Sequence, residues 1–159
     1  MADFLESNLA FLWQYYPQFA QLIKDAPEKD IALSLAKLEG THLLVEEKPF
    51  NSKINPIKEA MRIAEKQDFS SHDLIVLGGI ELGYILKNVF EKYPNQPILV
   101  VEKRAALLKA ALKTQDFTPF FLSGRVQFLV PENAAMVFEF LKNYQSKTIA
   151  LIFHRPSFD

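Results

Sequence analysis

Three of the chain's five glycines, Gly78, Gly79 and Gly83, fall in one short stretch, Leu74-Ile-Val-Leu-Gly78-Gly79-Ile80-Glu81-Leu82-Gly83-Tyr84. Clustered glycines mark places where the backbone must take φ > 0 or meet a ligand or another segment closely. An apolar run enters this turn and a helical pattern leaves it. A second apolar run, Ile98 to Val101, ends in an acid, Glu102. Strand, glycine turn, helix, strand, acid is the order of a Rossmann-like half-domain, in which the turn cradles a cofactor and the acid accepts from ribose hydroxyls. Gly79, Glu81, Gly83 and Glu102 are therefore the candidate cofactor-binding residues.

The residue types at the turn narrow the chemistry. In a dinucleotide turn the middle glycine lets the pyrophosphate approach the backbone. Here Gly79-Ile80-Glu81-Leu82-Gly83 puts Glu81 at that place. A carboxylate at a helix N-terminus satisfies the free N–H groups itself and repels phosphate. The reading is thus of a turn without a cofactor. The alternative is a cationic one, S-adenosylmethionine, although Leu77 and Gly78 stand where its usual first-strand acid would be. Glu102 also has a plainer reading, a solvated carboxylate beside Lys103 or Arg104.

Other candidates are sparse. His42, His72 and His154 lie far apart in sequence, and His72 and His154 fall at opposite ends of their strands if both are parallel. His154-Arg155-Pro156-Ser157 follows a strand, where open α/β sheets place ligands, and reads otherwise as a loop tail. No Gly-x-Ser-x-Gly elbow, phosphate-loop lysine or His-Glu-x-x-His occurs. With no cysteine, thiol catalysis and cysteine–zinc sites are excluded. No metal site is predicted.

These residues must be positioned by a chain of 159 residues, the size of one domain. It is 49% hydrophobic and 23% charged, as a soluble globular protein is. A net charge of −1 indicates no nucleic-acid partner. No apolar run approaches the roughly 20 residues needed to cross a bilayer, and no secretion signal opens the chain, so the cytoplasm is the default location.

Residues 3–24 read as an aromatic-rich helix with a stripe of Leu5, Leu9, Leu12, Tyr16, Phe19 and Ile23, split by Pro17 near Tyr15 and Tyr16. Its aromatics either cover the core or dock another chain. Alternation over 31–47 around Glu39-Gly40 predicts a β-hairpin. Asn55 as N-cap and Pro56 at N1 start a helix whose buried face is Ile57, Ala60, Met61 and Ala64. From Asp73 onward, strands at 73–78, 98–102, 126–130 and 147–154 alternate with helices at 82–93, 104–113 and 132–143. The last helix shows Ala134, Val137, Phe138 and Leu141 on one face, and Phe117, Phe120 and Phe121 fall in a loop. Strands apolar throughout predict a parallel sheet covered on both faces. The fold class is α/β: a Rossmann-like open, mainly parallel sheet with flanking helices, preceded by an N-terminal helix and a β-hairpin. The domain division is 1–50 and 51–159, and the stop just after a strand reads as the front part of a longer protein.

Two stretches together are more specific. Asn51-Ser52-Lys53-Ile54-Asn55-Pro56-Ile57-Lys58-Glu59-Ala60 resembles the S-K-Y-D-P-x-x-E-A segment of the motility-associated-factor (Maf) flagellin glycosyltransferases, matching at Ser52, Lys53, Pro56, Glu59 and Ala60. Gly79-Ile80-Glu81-Leu82-Gly83-Tyr84 is similar to that family's G-x-G-L-G-Y turn, departing at Glu81. Val100-Val101-Glu102 resembles its second strand and acid, and His154-Arg155-Pro156-Ser157 is a looser match to its next junction. The resemblance implies the family's N-terminal Rossmann-like domain, without catalytic residues of its own. It implies as partners a C-terminal glycosyltransferase domain outside this sequence and flagellin. The competing reading is a divergent S-adenosylmethionine-dependent methyltransferase-like domain.

Overall fold

The computed structural model describes residues 3–157; Met1 and Ala2, where a leader would begin, and Phe158 and Asp159 of the tail lie outside the described residues. The N-terminal helix is two helices, Leu5–Tyr15 (α1) and Pro17–Asp25 (α2). Proline lacks an N–H and pushes the preceding residue out of the helical region, so Tyr16 takes φ −140° and ψ 61° and the chain turns there. Leu12 and Ile23 are buried, whereas Tyr16 of the predicted stripe is exposed at the elbow. Trp13 and Tyr15 are exposed as well.

Strands Ile31–Leu35 (β1) and Thr41–Val45 (β2) form the predicted hairpin, and Lys48–Pro49 (β3) adds a short third strand that periodicity does not reveal. Helix Pro56–Glu65 (α3) begins as read, with the Asn55 side chain accepting from Lys58 N at 2.8 Å. Ala60 and Ala64 of the predicted face are buried and Ile57 packs partly on the core, whereas Met61 is exposed and Pro56 is buried.

The rest is Leu74–Gly78 (β4), Tyr84–Lys92 (α4), Ile98–Val101 (β5), Ala105–Thr114 (α5), Thr118–Leu122 (α6), Val126–Leu129 (β6), Ala134–Leu141 (α7) and Ile149–Phe153 (β7). Helix α6 replaces the predicted phenylalanine-bearing loop; Pro119 sits in its first turn and Phe120 turns inward. The four strands are parallel in the order β6-β5-β4-β7, with Ile75 opposite both Ile98 and Ala150. The chain runs outward from β4 through β5 to β6, then crosses back to β7. The topological switch point therefore lies between β4 and β7.

The two faces of this sheet differ. Ile75, Leu77, Ile98, Val100, Ala150 and Ile152 belong to the main core, which also holds Leu12, Ile23 and Leu43, so residues 1–50 and 51–159 share one apolar cluster. On the other face, among the described residues, Leu74, Val76, Leu99 and Val101 form a smaller cluster packed by Val137, Phe140, Leu141 and Tyr144 on and after α7, with Leu129 beside them. Phe138, read as inward, points to solvent, and Ala134 is exposed too. Strand β7 is not buried throughout: Ile149, Leu151 and Phe153 alternate with buried Ala150 and Ile152 and are partly exposed.

Candidate functional site

Gly79, Glu81 and Gly83 all take left-handed backbone, with φ of 86°, 52° and 85°. Gly79 N donates to Val101 O at 2.8 Å, and Gly83 N to Ile80 O at 2.8 Å, which closes the turn before α4. Both glycines meet side chains of the chain itself. A Cβ on Gly79 would collide with Ser157 Oγ and Cβ. One on Gly83 would lie 2.8 Å from Phe117 Cζ. The close approach that glycine permits here is thus taken by Ser157 and Phe117. Gln115 closes the same side by donating to Leu82 O.

Each plug is held in place. The residues 155–157, read as a tail or substrate contact, form a 3₁₀ turn packed onto the glycines. His154 N donates to Gly78 O at 2.8 Å, extending the β4–β7 pairing. His154 Nε2 lies 2.9 Å from Phe50 O and Nδ1 2.8 Å from Ser157 Oγ. A carbonyl only accepts, so Nε2 carries the proton and Nδ1 accepts from the serine hydroxyl. Burial holds the His154 pKa below its ordinary value, in keeping with a neutral ring. The pair has the base-and-hydroxyl arrangement of an activated serine. Its Oγ, however, is buried against Gly79. On the other side, Asn8 Oδ1 accepts from Phe117 N at 2.9 Å, while its Nδ2 donates to Leu112 O and Gln115 O, both at 2.8 Å.

Glu102 follows β5 as predicted, but it is neither solvated nor paired with a lysine. It is fully buried, and its two oxygens accept from Ile80 N at 3.0 Å and Arg104 N at 2.9 Å. Burial pushes its pKa up, and those main-chain donors pull it back. A carboxylate that would accept from a ribose here ties the turn to the start of α5.

Glu81 is 2% exposed. Its Oε1 accepts from Asn51 Nδ2 at 2.5 Å. Burial pushes its pKa up to about 8; the Asn51 hydrogen bond opposes this, the nearby Glu59 charge adds to it, and Leu82 N–H opposes it. At neutral pH the group is mostly the uncharged acid. The negative charge read for the helix N-terminus is therefore absent, and it is buried bulk that Glu81 brings to the turn.

Asn51 is the junction that sequence reasoning did not single out within its segment. Its Oδ1 accepts from Leu43 N at 2.8 Å and faces His42 Nδ1 at 3.2 Å, and its Nδ2 also donates to Thr41 O at 3.0 Å. Thr41 N donates to Tyr84 Oη at 2.8 Å. Ser52 N donates to Glu59 Oε2 at 2.7 Å, and Ser52 Oγ accepts from Ile54 N and Asn55 N at 3.2 Å each. The stretch that matched the Maf segment is thus a joint between the antiparallel sheet, α3 and the glycine turn.

Beyond the carboxyl ends of β4 and β7 a crevice of about 300 Å³ remains, lined by Phe50, Glu59, Ile63, Glu81, His154 and Arg155 among others. It lies at the switch point, with apolar walls and a guanidinium at its exposed lip. Both ring nitrogens of its histidine are engaged. His72 sits before β4, at the opposite end of the sheet from His154. Among the described residues no three His, Asp or Glu side chains gather to hold a metal ion.

No protein-family model and no curated protein matches the sequence. By fold, the chain is similar to the structure of a MAf glycosyltransferase from Magnetospirillum magneticum AMB-1, with a TM-score of 0.76 and 13% identity over 95% of this chain. The chain spans 32% of the length of that structure. At that identity the likeness is one of fold, and it falls on the family to which residues 51–60 and 79–84 point.

Proposed function

We propose that this chain is a non-catalytic Rossmann-like domain of a Maf-type protein glycosyltransferase, working in the cytoplasm as a scaffold or recognition module for a flagellin-like acceptor. The carrying observation is the turn: its glycines accommodate Ser157 and Phe117, and its acids accept from the chain's own N–H groups. The fold likeness to a MAf glycosyltransferase supports the rest, with the transferase domain lying in chain outside this sequence. In this reading residues 1–50 form the recognition layer, whose exposed Trp13, Tyr15 and Tyr16 meet the acceptor, and 51–159 the scaffold.

Two measurements test this. The purified chain immobilised on beads retains flagellin from a motile strain's flagellar preparation, and Trp13→Ala with Tyr16→Ala releases it; no retention overturns the recognition role. Titration calorimetry with S-adenosylmethionine at millimolar concentration gives no heat. Saturable binding lost in Glu102→Ala would return the methyltransferase-like reading instead.

A further inference from the structure

The crevice at the carboxyl ends of β4 and β7 brings two acids together without an ion-pair partner for either. Glu81, 2% exposed, lines it. The hydrogen bonds that reach its carboxyl come from donors, Asn51 Nδ2 and the Leu82 N–H. Burial, with the Glu59 charge adding to it, pushes its pKa up to about 8, so the group keeps its own proton at neutral pH. That O–H is a donor, and no acceptor among the described residues takes it. Buried donors are normally satisfied. Glu59 of α3 lines the same crevice; its Oε2 accepts from Ser52 N, and among the described residues no donor reaches its Oε1. The ion pairs of the described residues fall on Glu28 and Glu139, so the chain supplies neither crevice acid with a cation. Arg155 is exposed at the lip, and the remaining walls are apolar, Phe50, Ala60, Ile63 and Ile85 among them.

We propose that this crevice binds a small organic ammonium ion, held by its N–H groups between the Glu81 and Glu59 carboxyls with its hydrocarbon part against Phe50, Ile63 and Ile85. An ammonium that leaves water needs carboxylates and acceptors around it, and these two acids offer both. The ligand takes over the place of the Glu81 proton. As it enters, Glu81 ionises and one proton passes to the buffer, so the net charge in the crevice is the same before and after. A metal ion fits less well, because no third His, Asp or Glu gathers here among the described residues. A volume of about 300 Å³ is the bottom of the range for ligand pockets, which limits the ligand to a small one without a nucleoside. Two sources share this chemistry, a simple amine and an α-amino acid whose carboxylate reaches Arg155. The other titratable groups around the site are His154, whose ring nitrogens are both engaged, and His42 behind Asn51. The inference stands on the crevice and does not depend on acceptor recognition by residues 1–50.

Titration calorimetry of the full 159-residue chain with phenethylamine, L-phenylalanine and hydrocinnamate tests it. At about pH 7, in two buffers of different ionisation enthalpy, at least one of the two ammonium compounds should bind saturably and release close to one proton per ligand, with the release fading by about pH 9. Hydrocinnamate, which lacks the ammonium, should not bind. Glu59→Gln, at an exposed position, should weaken binding by about tenfold while far-UV circular dichroism stays unchanged. Glu81→Gln should remove the proton release. Weaker binding of L-phenylalanine alone in Arg155→Ala identifies the amino-acid source, and no change in Arg155→Ala the simple amine. The proposal is overturned if neither ammonium compound binds, if binding releases no proton, if Glu59→Gln leaves affinity intact, or if hydrocinnamate binds equally well.

Discussion

At Gly79 a single hydrogen separates a packed turn from a broken one. Its φ of 86° is costly for any L side chain, and a Cβ would enter Ser157. Gly79→Ala should lower stability by about 2–4 kcal/mol, read as a drop in the denaturant midpoint. Ser157→Gly in that background should restore part of the loss, because it removes the collision, while the backbone strain and the lost hydrogen bond to His154 remain. Glu81 sets a pH dependence. Its folded pKa of about 8 lies above the ordinary 4.5. The stability it contributes is complete below about pH 4.5, declines as pH rises toward 8, and is then gone. The slope is at most about 1.4 kcal/mol per pH unit. His154 works the other way below its ordinary value of 6.5, since its folded pKa is depressed and acid charges the unfolded ring first. The window from about 6.5 to 8 therefore isolates the acids. Chemical denaturation across it should show wild-type stability falling with pH, and Glu81→Gln should flatten the curve.

Between elements, a few buried amides do the joining. Asn8 holds α1 to the end of α5 and to Phe117 through three hydrogen bonds, and Asn51 holds the antiparallel sheet to the glycine turn. Removing such a group strands several buried partners. Asn8→Ala and Asn51→Ala should each cost about 2–4 kcal/mol in thermal or denaturant unfolding. Leu→Ala at exposed Leu35 should cost less than about 0.5 kcal/mol. Much of this level was legible beforehand. Pro17 dictated the helix break, Asn55-Pro56 the start of α3, and the apolar runs at 74–78 and 98–101 two neighbouring parallel strands. What escaped was decided by contacts distant in sequence. Periodicity on α7 cannot tell Phe138 from Phe140, because only the placement of the sheet chooses which side faces it. The same holds for β7, where an unbroken apolar run looks alike whether one face or both are covered. Asn8 and Asn51 gave no signal as polar residues in apolar or loop surroundings until partners 104 and 8 residues away were in place. Glu81 falls in the turn, and the burial that raises its pKa comes from tertiary packing that no local pattern reports.

At the scale of the whole molecule, the parallel sheet keeps the order and switch point of a cofactor-binding fold while its own C-terminal turn sits on the glycines. Among the described residues no helix is long and apolar enough to cross a membrane. The fold likeness to a MAf glycosyltransferase covers 95% of the chain, the filled turn included. The antiparallel sheet, α3 and the crevice at the switch point all converge on the same joint. The most direct test of that filled turn follows the amide resonances of Gly79, Ile80 and Gly83 by ¹H–¹⁵N NMR while S-adenosylmethionine or a cytidine nucleotide is added to millimolar concentration. The account predicts that all three signals stay in place. Saturable shifts at these amides, together with loss of the Ser157 contact to Gly79, would contradict it.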